Sequence, residues 1–368
     1  MTNRVERQPE IAAKLARLRA FMNERGFTAL HLATSASTAW LTTGAATYVN
    51  QAADGGPSSI LVTGEHVYVL TNPVEAPRLE EEEQLASVGF ELVVEPWYRR
   101  GAQLARLVEG QRVAQDIQGL GQNVAGEIGL LRARLLPEES ERMRAVGRLA
   151  AEALHEAVGQ VRPGMTEYHI AGRMAAAARD QGGQLIVNLV AADERIARFR
   201  HPLPTARTVE RFVLLACCFR REGLIASVSR LVHFGPIPQE VREKARVVAE
   251  VDAQLILGTQ PGRTLAEQFN TAREAYSTAG YAEAIEEHHQ GGLAGYLSRE
   301  QLAGPENQTV IEQGMAFAWN PSVRGMKSED TIVLGAAGPE VVTAMEAWPM
   351  LRVQAGDDFI ERPAVLER

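Results

Sequence analysis

Residues 163–167 read Pro163-Gly164-Met165-Thr166-Glu167, and the pattern returns 98 residues later as Pro261-Gly262-Arg263-Thr264. Each copy follows a long helical pattern, and its threonine is a favourable N-cap for a further helix. Sixteen residues after each threonine stands a glycine, Gly182 or Gly280, which is typical of a helix end. Two such helix-turn-helix units predict a pseudo-twofold domain in which paired helices cover one face of a sheet.

The segments around this repeat predict a mixed α/β chain of two domains, at 1–136 and 137–368. In the first domain an apolar helical stripe at 9–26 is followed by short strand-like runs, which are 29–32, 59–63, 67–70, 90–94 and 113–117. In the second an amphipathic helix covers 138–159, and the strand-like segments are 212–219, 224–234, 315–321, 331–334 and 341–343. Polar residues within these buried strands mark the expected site.

Composition excludes several classes of partner. The chain has 368 residues with 46 acidic and 38 basic side chains, and the charges are dispersed without a basic stripe. Nucleic acid and membrane partners are therefore not expected. The N-terminus lacks the apolar run of a signal peptide. Because Cys217 and Cys218 are adjacent, we expect two free thiols in a reducing compartment, and hence a cytoplasmic protein.

Several further motifs carry a resemblance to a known family. They are His288-His289-Gln290-Gly291-Gly292, the segment 325–331, and the segment 338–343. With the turn at 163–167, these resemble the catalytic domain of the aminopeptidase P, prolidase, methionine aminopeptidase and creatinase family. The resemblance implies a pita-bread fold for 137–368 and a creatinase-like α/β domain for 1–136. It also implies a homodimer whose ligand is a small molecule or a short peptide.

Metallopeptidases of that family bind two divalent ions through two Asp, one His and two Glu. The resemblance places these ligands at Ala216, Ser227, His289, Asn320 and Glu329. Two of the five are kept, and Glu329 is the only carboxylate among them. Since two divalent ions need several anionic ligands in a low-dielectric site, we expect no cofactor. A weakly held single divalent ion is the alternative.

Creatinase resembles this chain in lacking the two aspartates, and it hydrolyses its substrate without metal through a histidine. The matching residue is His201, whose imidazole can take up and return a proton near neutral pH. We predict His201, His289 and Glu329 as catalytic residues. The predicted substrate-binding residues are Ser227, Asn320, Arg230 and His288.

Three functions follow as hypotheses. The first is a metal-independent hydrolase of a C–N bond in a small amino-acid derivative or short peptide, with His201 as general acid and base. The second is a catalytically inactive relative that binds a peptide or metabolite, and the third is an Xaa-Pro metallopeptidase with a reduced metal site. Arg220, Arg230 and Lys327 lie near the lost ligand positions in sequence. They either attract an anionic ligand or pair with Glu222, Asp330 or solvent.

Overall fold

The computed structural model describes residues 4–356 and 358–368. The chain divides into two compact units, Met1–Ala133 and Arg134–Arg368. This division lies three residues before the boundary that the sequence predicts. None of the helices in the described ranges combines the length and the apolar character needed to cross a bilayer.

The first unit is a six-stranded sheet with helices. Its helices are α1 (Gln8–Arg25), α2 (Ser35–Leu41), α3 (Ala76–Glu81), α4 (Ala102–Leu107) and α5 (Ala125–Ala133). Its strands are β1 (Ala29–Thr34), β2 (Gly55–Thr63), β3 (Val67–Thr71), β4 (Glu91–Val94), β5 (Val113–Gln115) and β6 (Gln122–Asn123), in the order β4-β3-β2-β1-β5-β6. Helix α1 ends at Gly26, whose φ of 69° is the left-handed C-cap that the sequence predicts.

The second unit contains the predicted repeat. Its helices are α6 (Pro137–Gln160), α7 (Glu167–Asp180), α8 (Glu194–Arg198), α9 (Gln239–Gly258), α10 (Leu265–Thr278) and α11 (Ala284–Glu287). Its first strands are β7 (Gln184–Ala192), β8 (Phe212–Arg221), β9 (Leu224–His233), β10 (Gly291–Ala294), β11 (Gln301–Leu302) and β12 (Ala316–Trp319). The remaining strands are β13 (Ser322–Val323), β14 (Met326–Lys327), β15 (Asp330–Gly335), β16 (Gly338–Val341), β17 (Met350–Ala355), β18 (Asp358–Pro363) and β19 (Leu366–Glu367).

Both predicted N-caps are confirmed. The Thr166 hydroxyl accepts a hydrogen bond from the backbone N–H of His169 at 3.2 Å and opens α7. Thr264 opens α10 in the same way and forms a capping box with Glu267. The pairs α6/α7 and α9/α10 pack as the two predicted helix-turn-helix units.

The strands of this unit form two principal sheets rather than the one predicted. Their orders are β19-β9-β8-β7 and β11-β10-β12-β15-β16. An isolated β-bridge, Ser229 to Glu329, joins β9 to the residue that precedes β15. The strand predicted at 341–343 was misplaced, because the chain turns after β15 and β16 begins at Gly338. The bridge between the sheets lies among the polar residues of the expected site.

Candidate functional site

Two glycines place His288 and His289 at the start of β10. Gly291 and Gly292 both have positive φ, at 108° and 155°. A Cβ at Gly291 would lie 2.1 Å from the carbonyl oxygen of Ala318, and one at Gly292 would lie 2.1 Å from that of Gln301. Neighbouring strands therefore approach the backbone so closely that only glycine fits. The turn fixes the two imidazoles just before the strand.

His201 meets these histidines from the segment between α8 and β8. Its Nε2 atom lies 3.1 Å from Nε2 of His288, and its ring centroid is 6.1 Å from that of His289. Ligand atoms of the three imidazoles all lie within 4.8 Å of one another. His201 is exposed, whereas His288 is buried. The structure thus brings together the three histidines that the sequence predicts, in a group that we call the histidine cluster.

Hydrogen bonds fix the tautomers of the pair. Nδ1 of His288 contacts the carbonyl oxygen of His289, which can only accept, so this nitrogen carries the proton. Burial and the charge of Lys327 lower the pKa of His288 to about 3, so the ring is neutral near pH 7. Its Nε2 is then an acceptor, and the 3.1 Å contact requires His201 to donate from Nε2. The basic lone pair of His201 is therefore on Nδ1.

The other two rings are also neutral. Burial, and then the charge of Arg299, lower the pKa of His289 to about 4. Burial, and then the charge of Lys327, lower the pKa of His201. Nδ1 of His289 is buried and has no hydrogen-bond partner among the described residues. The histidine cluster therefore offers one base, Nδ1 of His201, and one buried ring nitrogen without a hydrogen-bond partner among the described residues, Nδ1 of His289.

Glu329 is held by two cations. Its carboxylate lies 2.8 Å from Nζ of Lys327 and 3.2 Å from a terminal nitrogen of Arg299, and it accepts a hydrogen bond from the Ser229 hydroxyl. Burial alone would raise the pKa of Glu329, but the charges of Lys327 and Arg299 outweigh it and lower the pKa to about 2. Across residues 4–356 and 358–368 no hydrogen bond joins this carboxylate to an imidazole. We call Arg299, Lys327 and Glu329 the front cluster.

The other ligand positions of the family lie nearby and are neutral. Ala216 is buried on β8 and pairs with Ser229. The Ser227 hydroxyl lies 3.2 Å from a terminal nitrogen of Arg299 and 3.2 Å from Sγ of Cys218. Asn320 is buried directly after β12, and its Oδ1 has no partner in the described ranges.

A dinuclear metal centre does not fit these residues. Glu329 is the only carboxylate at the five family positions, and protein cations already bind both of its oxygens. The Ser227 hydroxyl also contacts Arg299. Two divalent ions would thus meet two fixed positive charges and one carboxylate, which is the reverse of what such ions require. The three imidazoles reach the ligand count of a mononuclear site, yet they face the same two cations.

Arg230, predicted to bind substrate, is placed elsewhere. Side chains alternate along β9, so Ser227 and Ser229 face Glu329 and Arg230 points the other way. Its guanidinium is 2.9 Å from Asp330, and Arg362 binds both Asp330 and Asp252. All four side chains are at most 1% exposed. We call Arg230, Asp252, Asp330 and Arg362 the back cluster. Because Arg230 is buried in this cluster, we do not retain it among the substrate-binding residues.

Arg299 and Ser229 complete the site, and sequence reasoning missed both. Arg299 lies in the connection between β10 and β11, where Glu300 accepts backbone hydrogen bonds from Tyr296 and Leu297. No motif marks this connection. Strand alternation would have identified Ser229, because it stands two residues after Ser227. Cys217 and Cys218 are buried free thiols, and burial raises the pKa of each, which makes a nucleophilic thiolate unfavourable.

Comparisons with known proteins agree with this architecture. A sequence model of metallopeptidase family M24 matches residues 141–336, which is more than half of the chain. An uncharacterized peptidase of Staphylococcus aureus (strain MW2) is 26% identical over 251 residues, covering 64% of this chain and 70% of the relative.

Solved structures confirm the fold. An Xaa-Pro dipeptidase from Bacillus anthracis superimposes with a TM-score of 0.78 at 19% identity and covers 97% of this chain and 100% of its own. The prolidase from Pyrococcus horikoshii OT3 gives a TM-score of 0.77 at 19% identity, with coverages of 91% and 99%. The predicted mixed α/β architecture with a pita-bread domain is therefore confirmed.

Proposed function

Because the chain belongs to metallopeptidase family M24, we propose that it is a hydrolase of C–N bonds that works without a bound metal ion. The substrate class is a small amino-acid derivative or a short peptide. The observation that carries the proposal is the 3.1 Å contact between Nε2 of His201 and Nε2 of His288. It supplies an oriented, neutral imidazole at the exposed end of a site whose carboxylate is already bound by cations.

The reaction needs one proton carrier. Nδ1 of His201 takes a proton from water while the water oxygen attacks the substrate carbonyl carbon. The C–N bond then breaks, and the same nitrogen returns the proton to the leaving nitrogen. His288 holds His201 in the required tautomer, as an orienting group does in other acid-base sites. The products are a carboxylic acid and an amine, which ionise to a carboxylate and an ammonium, so atoms and charge balance without a further reactant.

Neighbouring polar groups would bind the reacting amide. In the tautomer protonated at Nδ1, His289 would donate to an oxyanion, because this buried atom lacks another partner among the described residues. Oδ1 of Asn320 is similarly unpaired and would accept from a substrate N–H. Ser227 contributes less, since its hydroxyl already contacts Arg299 and Cys218. We further propose that the enzyme acts in the cytoplasm and that it is a homodimer. Light scattering of the purified protein would check the dimer.

The test is an assay of chelator-treated protein on Xaa-Pro dipeptides and N-acyl amino acids, with and without added Mn²⁺. We expect activity that survives the chelator, and a loss of about 10²–10⁴-fold in kcat for His201→Ala. His169→Ala is the matched control, because His169 is exposed on α7. Activity that disappears with the chelator and returns with Mn²⁺ would contradict the proposal. No turnover of any substrate would favour the catalytically inactive alternative.

A second candidate is a metallopeptidase with a single ion. It is favoured by the histidine cluster, whose ligand atoms lie within 4.8 Å of one another. The charges of Lys327 and Arg299 oppose it, because both lie close enough to lower the pKa of His289. Elemental analysis of protein purified with added Mn²⁺ or Zn²⁺ decides between the two candidates. One equivalent of metal that is lost in His288→Ala would establish the second.

A further inference from the structure

The first unit contains a cavity of about 300 Å³ at one end of its strands. It is lined at the carboxyl ends of β1, β3 and β4 by Ala33, Thr71 and Glu95. These three strands run in the same direction, because β1 and β3 are both antiparallel to β2, and β4 is parallel to β3. Open α/β sheets bind small ligands outside the carboxyl ends of their strands, in pockets of about this size.

The cavity exists because α4 covers only part of the sheet. This helix has six residues, and its Leu104 packs against the apolar cluster that contains Leu70. Beyond the helix the sheet presents the small side chains of Ala33, Pro57 and Ser59, which leave the space above them open. The cavity is therefore built by the fold of the first unit, from side chains of its strands and of the segment that carries α4.

Arg100 brings a positive charge with free donors to this cavity. One terminal nitrogen of its guanidinium donates to the carbonyl oxygen of Gly56 at 2.9 Å, and no carboxylate pairs with it in the described ranges. A guanidinium has five N–H bonds, so most of its donors remain available. The carboxylate of Glu95 is already engaged, since its two oxygens accept the backbone N–H groups of Gly101 at 2.6 Å and Gln103 at 3.0 Å. The charge that the cavity leaves for a ligand to balance is therefore positive.

His31 adds a hydrogen-bonding group at the sheet side of the cavity. Its side chain is 8% exposed, and its Nε2 lies 2.9 Å from the Ser59 hydroxyl. Burial lowers the pKa of His31, and the charge of Arg100 lowers it further against the opposing charge of Asp116, so the ring is neutral near pH 7. No described residue forms a hydrogen bond with Nδ1. When the hydroxyl donates to Nε2, Nδ1 carries the proton and can donate to an anion.

The rest of the lining is apolar and partly aromatic. Trp97 lines the cavity and is 71% exposed, together with Pro57, Leu70 and Leu104. Tyr98 contacts the Trp97 ring edge to face, at 5.6 Å between centroids. Aromatic rings prefer such edge or offset contacts with another ring, and a ligand ring against Trp97 would remove apolar surface of both from water.

We propose that this cavity binds a small aromatic carboxylic acid, with its carboxylate at Arg100 and His31 and its ring against Trp97. One carboxylate balances the one guanidinium that lacks an ion pair, whereas an amine would be repelled by it. The inference goes beyond the proposed function, because no residue of the histidine cluster or the front cluster lines this cavity. It gives the first unit a binding function of its own.

The experiment compares phenylacetate with phenylacetamide, which have similar shapes and differ in charge. Calorimetric titration of the full chain should show phenylacetate binding at least about tenfold more tightly. Arg100→Met should abolish this preference. Trp97→Ala should weaken the binding of both compounds by about tenfold, because each loses its ring contact. Arg106→Met is the matched control, since Arg106 is exposed on α4 and is not part of the lining.

Equal affinity of the wild-type protein for the two compounds, or no binding of phenylacetate at millimolar concentration, would overturn the inference. So would a folded Arg100→Met protein that keeps the preference, with circular dichroism as the check of folding. If that variant does not fold, unchanged binding by Trp97→Ala overturns the inference in its place. Lys327→Met should bind phenylacetate as the wild type does. A preference lost in Lys327→Met and kept in Arg100→Met would assign the carboxylate to the second unit and refute this cavity.

Discussion

Two buried ion clusters lie on opposite faces of the same strand region, and they differ in charge balance. Glu329 and Asp330 are neighbours in sequence, yet they point to opposite sides. Asp330 belongs to the back cluster, which contains two acidic and two basic side chains. Glu329 belongs to the front cluster, which contains one acidic and two basic side chains. The balanced set connects β9, β15, α9 and β18 and therefore serves the fold, whereas the unbalanced set leaves a charge for a ligand.

The largest effect is expected where the balanced cluster is broken. Asp330→Asn leaves Arg230 and Arg362 with one carboxylate between them, and removing a partner from a buried ion set costs about 3–5 kcal/mol. Urea unfolding followed by circular dichroism measures this loss. Arg242→Met is the control, because its ion pair with Glu367 is exposed and is worth about 0–1 kcal/mol. If Asp330→Asn and Arg242→Met lose the same unfolding free energy, the back cluster contributes no more to stability than a surface ion pair, and its structural role is contradicted.

The front cluster should tolerate the loss of one cation. Lys327→Met still leaves Arg299 beside Glu329, so no buried charge becomes unpaired. We expect its unfolding free energy to change by about 1 kcal/mol or less, in the same urea experiment. Glu329→Gln should cost several times more, because it leaves two cations together. If Lys327→Met costs as much as Asp330→Asn, the front cluster serves the fold as well.

The histidine cluster makes the stability of the protein depend on pH. Burial and nearby cations lower the pKa of His288 to about 3 and that of His289 to about 4, below the value of 6.5 for an unfolded chain. Below pH 6.5 the unfolded state binds more protons, so stability falls as the pH decreases toward 4. Thermal unfolding between pH 7 and 5 measures this slope. His288→Gln should reduce the slope of stability against pH, and His169→Gln should leave it unchanged. Identical slopes in the wild-type protein and both variants would contradict the lowered pKa of His288.

The smallest effect is expected from replacing Cys218, whose thiol lies beside the Ser227 hydroxyl. Burial raises the pKa of Cys218, so little thiolate forms near neutral pH. Native protein should react with a thiol reagent at least about tenfold more slowly than urea-unfolded protein. Cys218→Ala should leave the activity on N-acyl amino acids unchanged. A fast-reacting thiol in the native protein, or lower activity of Cys218→Ala, would show that Cys218 belongs to the candidate site.

Local signals predicted much of the fold. The two capping threonines and the glycines that follow their helices were identified from short-range patterns, because N-capping and left-handed C-termini depend on neighbouring residues. The strand predicted at 341–343 failed because the turn after Gly335 sets the register of β16, and no apolar pattern marks Gly338.

The site was predicted less completely, for a different reason. His201, His288 and His289 carry recognisable chemistry, and the structure brings them together. Arg299 comes from a connection without a motif, and its distance from Glu329 depends on the tertiary fold. Arg230 was chosen by its closeness in sequence to Ser227, although the period of two along a strand already assigns them to opposite faces.

We infer that two protein cations, Lys327 and Arg299, occupy the place that the resemblance to metallopeptidases assigns to metal ions. A crystal structure determined from crystals soaked in Mn²⁺ tests this inference most directly. We predict that Lys327 and Arg299 keep their ion pairs with Glu329, and that no anomalous signal of manganese appears at Glu329 or His289. Manganese coordinated by Glu329 and His289, with Lys327 and Arg299 displaced, would contradict the claim.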